Sequence, residues 1–133
     1  MANAFYALGR GNFLDANIDW SANNMKLVLT DAADYIKNLA TDNDLADVTG
    51  AGRVATSGNL ASKTSTDGTA DAADVVLSTV SGDVSEEIVF YYDSAVEATS
   101  LLIANFDTAT GLPVTPNGGD INVNFNASGI FTL

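Results

Sequence analysis

A mainly β fold, a sandwich or partly open barrel with about eight to ten short strands and one or two short helices, is what this sequence predicts. Three observations predict it. The stretch from Glu86 to Phe125 holds three apolar runs, Ile88–Tyr92, Leu101–Phe106 and Ile121–Phe125, parted by turn-rich connections. In the last run Ile121, Val123 and Phe125 alternate with Asn122 and Asn124, the period of a strand with one dry and one wet face. Turn signals such as Asp67-Gly68, Ser81-Gly82-Asp83 and Asn117-Gly118-Gly119 then recur along the chain. The first two runs are apolar on both faces, as in strands buried inside a sandwich or beneath an oligomer contact, which points to work within an assembly.

In chain order, Gly9 and Gly11 bracket Arg10 and suggest a bend between two extended pieces, so residues 1–13 read as an extended N-terminal arm. Trp20 is the only tryptophan and reads as a large core or interface anchor. Residues 25–31, MKLVLTD, form a strand with Leu27 and Leu29 on one face. Residues 31–40 read equally as a helix capped by Asp31 or as a loop carrying Tyr35 inward; TDNDLADV (41–48) reads as a short helix capped by Thr41. Arg53–Ser57 and Leu60–Thr64 suggest a hairpin around Ser57-Gly58-Asn59. Residues 73–80 and 128–133 are further strands. Pro113 and Pro116 belong to an edge or a loop, because proline cannot donate to a ladder. No linker or composition break divides the 133 residues, and the expectation is a single domain.

Composition narrows the chemistry. The chain has no cysteine and no histidine, so disulfides, thiolate chemistry and most triads and zinc sites are outside its repertoire. Five basic against seventeen acidic residues give a net charge of −12, which opposes binding to nucleic acid and to anionic membranes. No run reaches the ~20 apolar residues of a membrane-spanning helix. The N-terminus lacks a basic segment followed by a long apolar core, so synthesis and folding in the cytoplasm are expected.

Candidate sites weaken on inspection. Asp15, Asn17 and Asp19 have the alternating spacing of a calcium loop, but the sixth and twelfth positions are Trp20 and Lys26 instead of glycine and an acid. Asp42, Asp44 and Asp47 read as a helix start and a solvated face. Glu86 and Glu87 point to opposite faces of a strand and cannot act as a pair, and Asp93 and Glu97 read as solvated. Gly9 and Gly11 lack the third glycine of a nucleotide fingerprint. The aromatic set Phe90, Tyr91, Tyr92, Phe106, Phe125 and Phe131 reads as core or subunit contact. No catalytic, cofactor or metal residue emerges, and a hydrolase using paired carboxylates is the least favoured class.

Several stretches together resemble a family of small virion structural proteins of tailed bacteriophages. They are MANAFYALGRGNFLDANIDW, MKLVLTDAADY, GRVATSGNLASKT, DTATGLPVTPNGGDINVNF and the closing IFTL, with residues 110–121 the most specific. Family proteins of this size look like capsid decoration (cement) proteins or head- and tail-associated accessory proteins. The resemblance implies a non-enzymatic protein without cofactors, a homo-oligomer, most simply a trimer, bound to the major capsid protein on the virion exterior. The acidity agrees with an external position, since packed DNA repels a chain of this charge. The expected contact residues are Phe5, Tyr6 and Phe13 of the arm, with Trp20, Tyr91 and Phe106, and a trimer core near Phe90–Tyr92 and Leu101–Phe106. Alternatives are a tail or head–tail connector component, or a carbohydrate- or receptor-binding sandwich using Tyr91 and Tyr92 as a stacking surface.

Overall fold

The structure is a computed structural model that describes residues 3–133. Nine short strands and one α-helix form among the described residues, a mainly β, sandwich-like fold without a closed barrel. The strands are β1 (Ala4–Phe5), β2 (Met25–Thr30), β3 (Arg53–Thr56), β4 (Thr69–Ala70), β5 (Val75–Leu77), β6 (Glu87–Tyr92), β7 (Leu102–Phe106), β8 (Ile121–Val123) and β9 (Phe131–Thr132). The helix, α1, spans Ala7–Leu14. An antiparallel sheet of order β1-β7-β6-β2-β3 is the frame, and β4/β9 and β5/β8 form two small antiparallel pairs.

The central strands are apolar on both faces because this one chain covers both. On one face Met25, Leu27, Leu29, Ile88 and Phe90 meet Leu60, Leu77, Val80 and Phe131 from the region of the small pairs. On the other, Val28, Val89, Tyr91 and Leu102 meet Tyr6, Tyr35, Leu45 and Val48. The side chains of Phe90, Tyr91, Leu102 and Ile103 are thus consumed within the monomer, and the expected trimer core at these strands is corrected. A bulge in β7 completes the arrangement. Ala104 pairs with Phe90 and Leu102 with Tyr91, which leaves Ile103 as the extra residue. Ile103 and Ala104 then share the first face while Leu102 turns to the second.

The cover of the second face is the excursion 31–52, which leaves β2 and returns as β3. Its ends are pinched by the Asp31 N–H bond to the Gly52 carbonyl at 2.9 Å. Of the two readings for residues 31–40, the loop carrying Tyr35 inward is the one adopted. The short helix beyond it is a 3₁₀ turn, Leu45–Asp47, capped by Asp44 and not by Thr41; Asp44 and Asp47 complete a reciprocal capping box. The hairpin at Ser57-Gly58-Asn59 does not form. β3 pairs with β2, and Leu60 donates to Met25, so the chain continues along β2.

The extended arm is likewise corrected. Met1 and Ala2 lie outside the described residues, but Ala7–Leu14 is helical. Glycines disfavour a helix interior, and packing overrides that preference here. A Cβ on Gly9 would lie 2.5 Å from the Leu102 carbonyl and 3.1 Å from that of Ile103, so only glycine lets the helix sit against β7. Gly11 has open space around it.

Gly9→Ala therefore lowers stability by about 1–3 kcal/mol through overpacking, while Gly11→Ala raises it by up to ~1 kcal/mol through helix propensity. Urea midpoints of the two variants give the opposite signs; equal shifts would contradict the close packing of α1 on β7.

Candidate functional site

The second face of the sheet holds a buried polar network. Glu87 on β6 and Asn105 on β7 point into this layer, with Asp107 just past the strand. Lys37, from the excursion, reaches all three. Its Nζ lies 2.5 Å from Glu87 Oε2, 2.7 Å from Asp107 Oδ2 and 2.9 Å from Asn105 Oδ1. Asn105 is wholly buried and Glu87 nearly so. Asn105 Nδ2 donates to Tyr6 Oη at 3.4 Å, Tyr6 and Tyr35 share a hydroxyl bond of 2.8 Å, and Tyr35 donates to Asp42 at 2.8 Å. Seven residues from four separate chain segments meet in one connected set.

Electrostatics follow from burial and pairing. Burial alone lowers the Lys37 pKa, but hydrogen bonds and the charges of Asp107 and Glu87 outweigh it, and the net shift is upward. Burial raises Asp107, yet the Lys37 and Thr108 hydrogen bonds and the Lys37 charge bring it below its ordinary value. Burial, aided by the charges of Asp42 and Glu87, pushes Tyr6 up to about 12 against the hydrogen bonds from Tyr35 and Asn105. Burial likewise raises Tyr35, and lifts Tyr91 to about 12.

The first face carries a groove of about 890 Å³. Its floor is Leu29, Ile88 and Phe90 of the sheet. Half-buried Leu112, Ile121, Val123, Phe125 and Ile130 form apolar walls. Asn122, Asn124, Asn126 and Asp120 add a polar rim. Phe106 and Phe125 lie 5.0 and 6.0 Å from Phe90, ring centre to ring centre.

The six expected contact residues divide between interior and groove. Tyr6 and Tyr91 are buried in the second layer and Trp20 in the first. Phe5, Phe13 and Trp20 gather around Phe131 at 5.1, 6.4 and 5.3 Å, clamping the N-terminal segment to β9. Only Phe106 lines the groove. Tyr91 is 2% exposed, so Tyr91 and Tyr92 do not form an open stacking platform.

The acidic residues cap turns and pair. Asp15 ends α1, Asn17 bonds Asn12, and Asp19 accepts the Ser21 and Ala22 N–H groups. Glu86 accepts the Ala32 N–H while Glu87 points inward, the opposite faces that adjacency requires. Asp93 and Glu97 are not simply solvated: Asp93 pairs with Lys26 at 2.7 Å and Glu97 with Arg53 at 2.5 Å. Asp31, Asp34 and Asp83 bring carboxylate oxygens within 4.8 Å of one another, the one grouping among the described residues with the proximity a cation needs. Asp34 and Asp83 are exposed and Asp31 Oδ1 already accepts the Ala33 N–H, so proximity alone marks the grouping. Sequence reasoning missed the Lys37 network, because Lys37, Glu87, Asn105 and Asp107 share no local pattern. The single signal was a lysine within an otherwise apolar and acidic stretch.

No protein-family model matches the chain, and no curated protein matches it. Among the described residues no helix is long and apolar enough to cross a membrane.

Two outcomes test the network. Lys37→Met strands Glu87 and Asp107 without their cation and costs about 3–5 kcal/mol, measured by chemical unfolding at neutral pH; a loss below 1 kcal/mol would show the pair to be solvated. The raised tyrosines stabilise the fold fully below their ordinary pKa of 10.0. That contribution, about 2–3 kcal/mol for each of Tyr6 and Tyr91, is lost as pH rises from 10 through 12. Tyr6, Tyr35 and Tyr91 are expected to ionise together, in step with loss of the far-ultraviolet dichroism, when tyrosinate absorbance is followed into alkali. Their ionisation in a still-folded protein would contradict the buried network.

Proposed function

We propose that this protein is a non-enzymatic structural component of a tailed-bacteriophage virion, a decoration protein that docks on the outside of the icosahedral shell. The observation that carries the reading is where the most specific resembling segment lies. Residues 110–121 supply Thr110, Gly111, Leu112, Val114, Asp120 and Ile121 to the groove. The part of the chain most like virion structural proteins thus shapes the groove on the first face. Open apolar walls with a rim of amides suit adhesion to another protein surface, where the core of a contact is dry and the edge is wet.

The partner in this reading is the major capsid protein, and the groove replaces the N-terminal arm as its docking surface. The mechanism is adhesive. Each copy buries the groove walls against the shell, and exposed Leu14 (88%) and Ile36 (84%) remain outside the fold as further apolar points for shell or self contact. Assembly as a trimer multiplies weak identical contacts through effective concentration. The net charge of −12 favours the outer surface over the DNA-filled interior.

Asn124 is exposed on the groove rim and outside the core, so Asn124→Arg blocks the groove without touching the fold. The variant is expected to lower occupancy on purified shells about tenfold or more, with unchanged dichroism of the free protein. Undiminished occupancy would remove the groove from the docking surface. A cryo-EM reconstruction showing density at the tail or neck instead of on the shell exterior would replace decoration by a tail or connector role.

A further inference from the structure

We propose that Lys37 and Asn105 join through an intramolecular isopeptide bond, formed without any other protein and promoted by Glu87. The geometry places the three groups together at one nitrogen. Lys37 Nζ touches Asn105 Oδ1 at 2.9 Å, so the carboxamide carbon, one bond further, stands beside the amine. Glu87 Oε2 lies 2.5 Å from the same nitrogen, within reach of its proton. Tyr6 Oη accepts from Asn105 Nδ2 and fixes the amide with its oxygen turned to Lys37. Asn105 is wholly buried, so water is kept from competing at the carbon.

The step balances. Glu87 takes one proton from the Lys37 ammonium and becomes a neutral acid. The freed amine attacks Cγ of Asn105, and a bond forms between Nζ and Cγ. The Cγ–Nδ2 bond breaks, a second proton passes from Nζ to Nδ2, and ammonia leaves. No oxidant or reductant is needed. The site begins with three charges, on Lys37, Glu87 and Asp107. It ends with one, on Asp107, and its net charge is unchanged.

Two physical arguments drive it. Buried charges are costly, so replacing a cation and an anion by an amide and a neutral acid relieves desolvation. Held in contact, the two groups react at effective molarities of about 10⁵ M or more in well-oriented cases, which offsets the poor reactivity of a carboxamide. Two carboxylates beside Lys37 hold it protonated, and the reactive neutral pair is reached by proton transfer across the Lys37–Glu87 contact. The bond would tie the excursion covering the second face to β7, across 68 positions of sequence.

Intact mass of the full chain under denaturing conditions is the test. The expected result is a loss of one ammonia, about 17 Da. Trypsin should then fail to cut after Lys37 and release residues 27–53 joined to residues 64–133. An unmodified mass overturns the proposal. So does a loss of the same size mapped to Asn117, where the Asn117-Gly118 sequence can form a cyclic imide. Glu87→Gln and Asn105→Ala are both expected to restore the unmodified mass; full crosslinking in Glu87→Gln would remove Glu87 from the step.

Discussion

The fold depends on one constraint: strands β6 and β7 are apolar on both faces, and a single small chain must cover each. A sheet with one wet face needs one packing layer, but Ile88–Tyr92 offers no wet face. The chain meets this by spending residues 31–52 on the second face, and Trp20, Leu60, Leu77, Val80 and Phe131 on the first. The bulge at Ile103 lets β7 serve both layers in five residues. Had the faces been left open, the same strands would have required a partner; of burial within a sandwich and burial beneath an oligomer contact, the chain adopts the first. Two-sided apolar strands call for two covers, and whether a neighbour or the same chain supplies them is decided by segments far away in sequence.

The second cover is not a simple hydrophobic lid. Leu45 and Val48 give it an apolar part, but residues 31–42 contain little else to bury. Lys37 and Tyr35 anchor it instead, through bonds that reach across to β6, β7 and the segment before α1, and Asp42 accepts from Tyr35 within the excursion. Polar anchoring of this kind is directional, so it fixes the lid in one position, whereas apolar packing alone tolerates sliding. Its weakness is that each buried partner depends on the others. Removing the lysine leaves two carboxylates facing one another, and removing a tyrosine hydroxyl leaves a neighbour unsatisfied.

The legible part of this structure in the sequence was local. β2, β6 and β7 were readable from apolar runs, and β8 from its alternation. The turn at Asp67-Gly68 followed from residue types: both residues adopt positive φ, 52° and 79°. What was not legible was set by contact at a distance. Gly9 and Gly11 looked like a bend, and became helix because Gly9 fits against the Leu102 carbonyl, which no local rule contains. Leu60 looked like the return of a hairpin, and instead follows β2. Tyr6 and Phe13 looked like free anchors on an arm, yet each meets a partner, Tyr35 and Phe131, supplied from elsewhere in the chain.

The two faces consequently differ in what they leave available. The second is closed: its aromatic and charged groups are satisfied by each other, and its outer surface is the acid-rich exterior of the excursion. The first packs Trp20 against Phe131 and is open beside Phe90, where β8 is three residues long and, among the described residues, pairs only with β5. From Asp107 to Asp120 the chain forms turns and a single bridge, Ser85 to Val114, in place of a longer strand that would have sealed the sheet. The concavity is therefore bounded by the turns of residues 107–120, and a longer β8 there would narrow it.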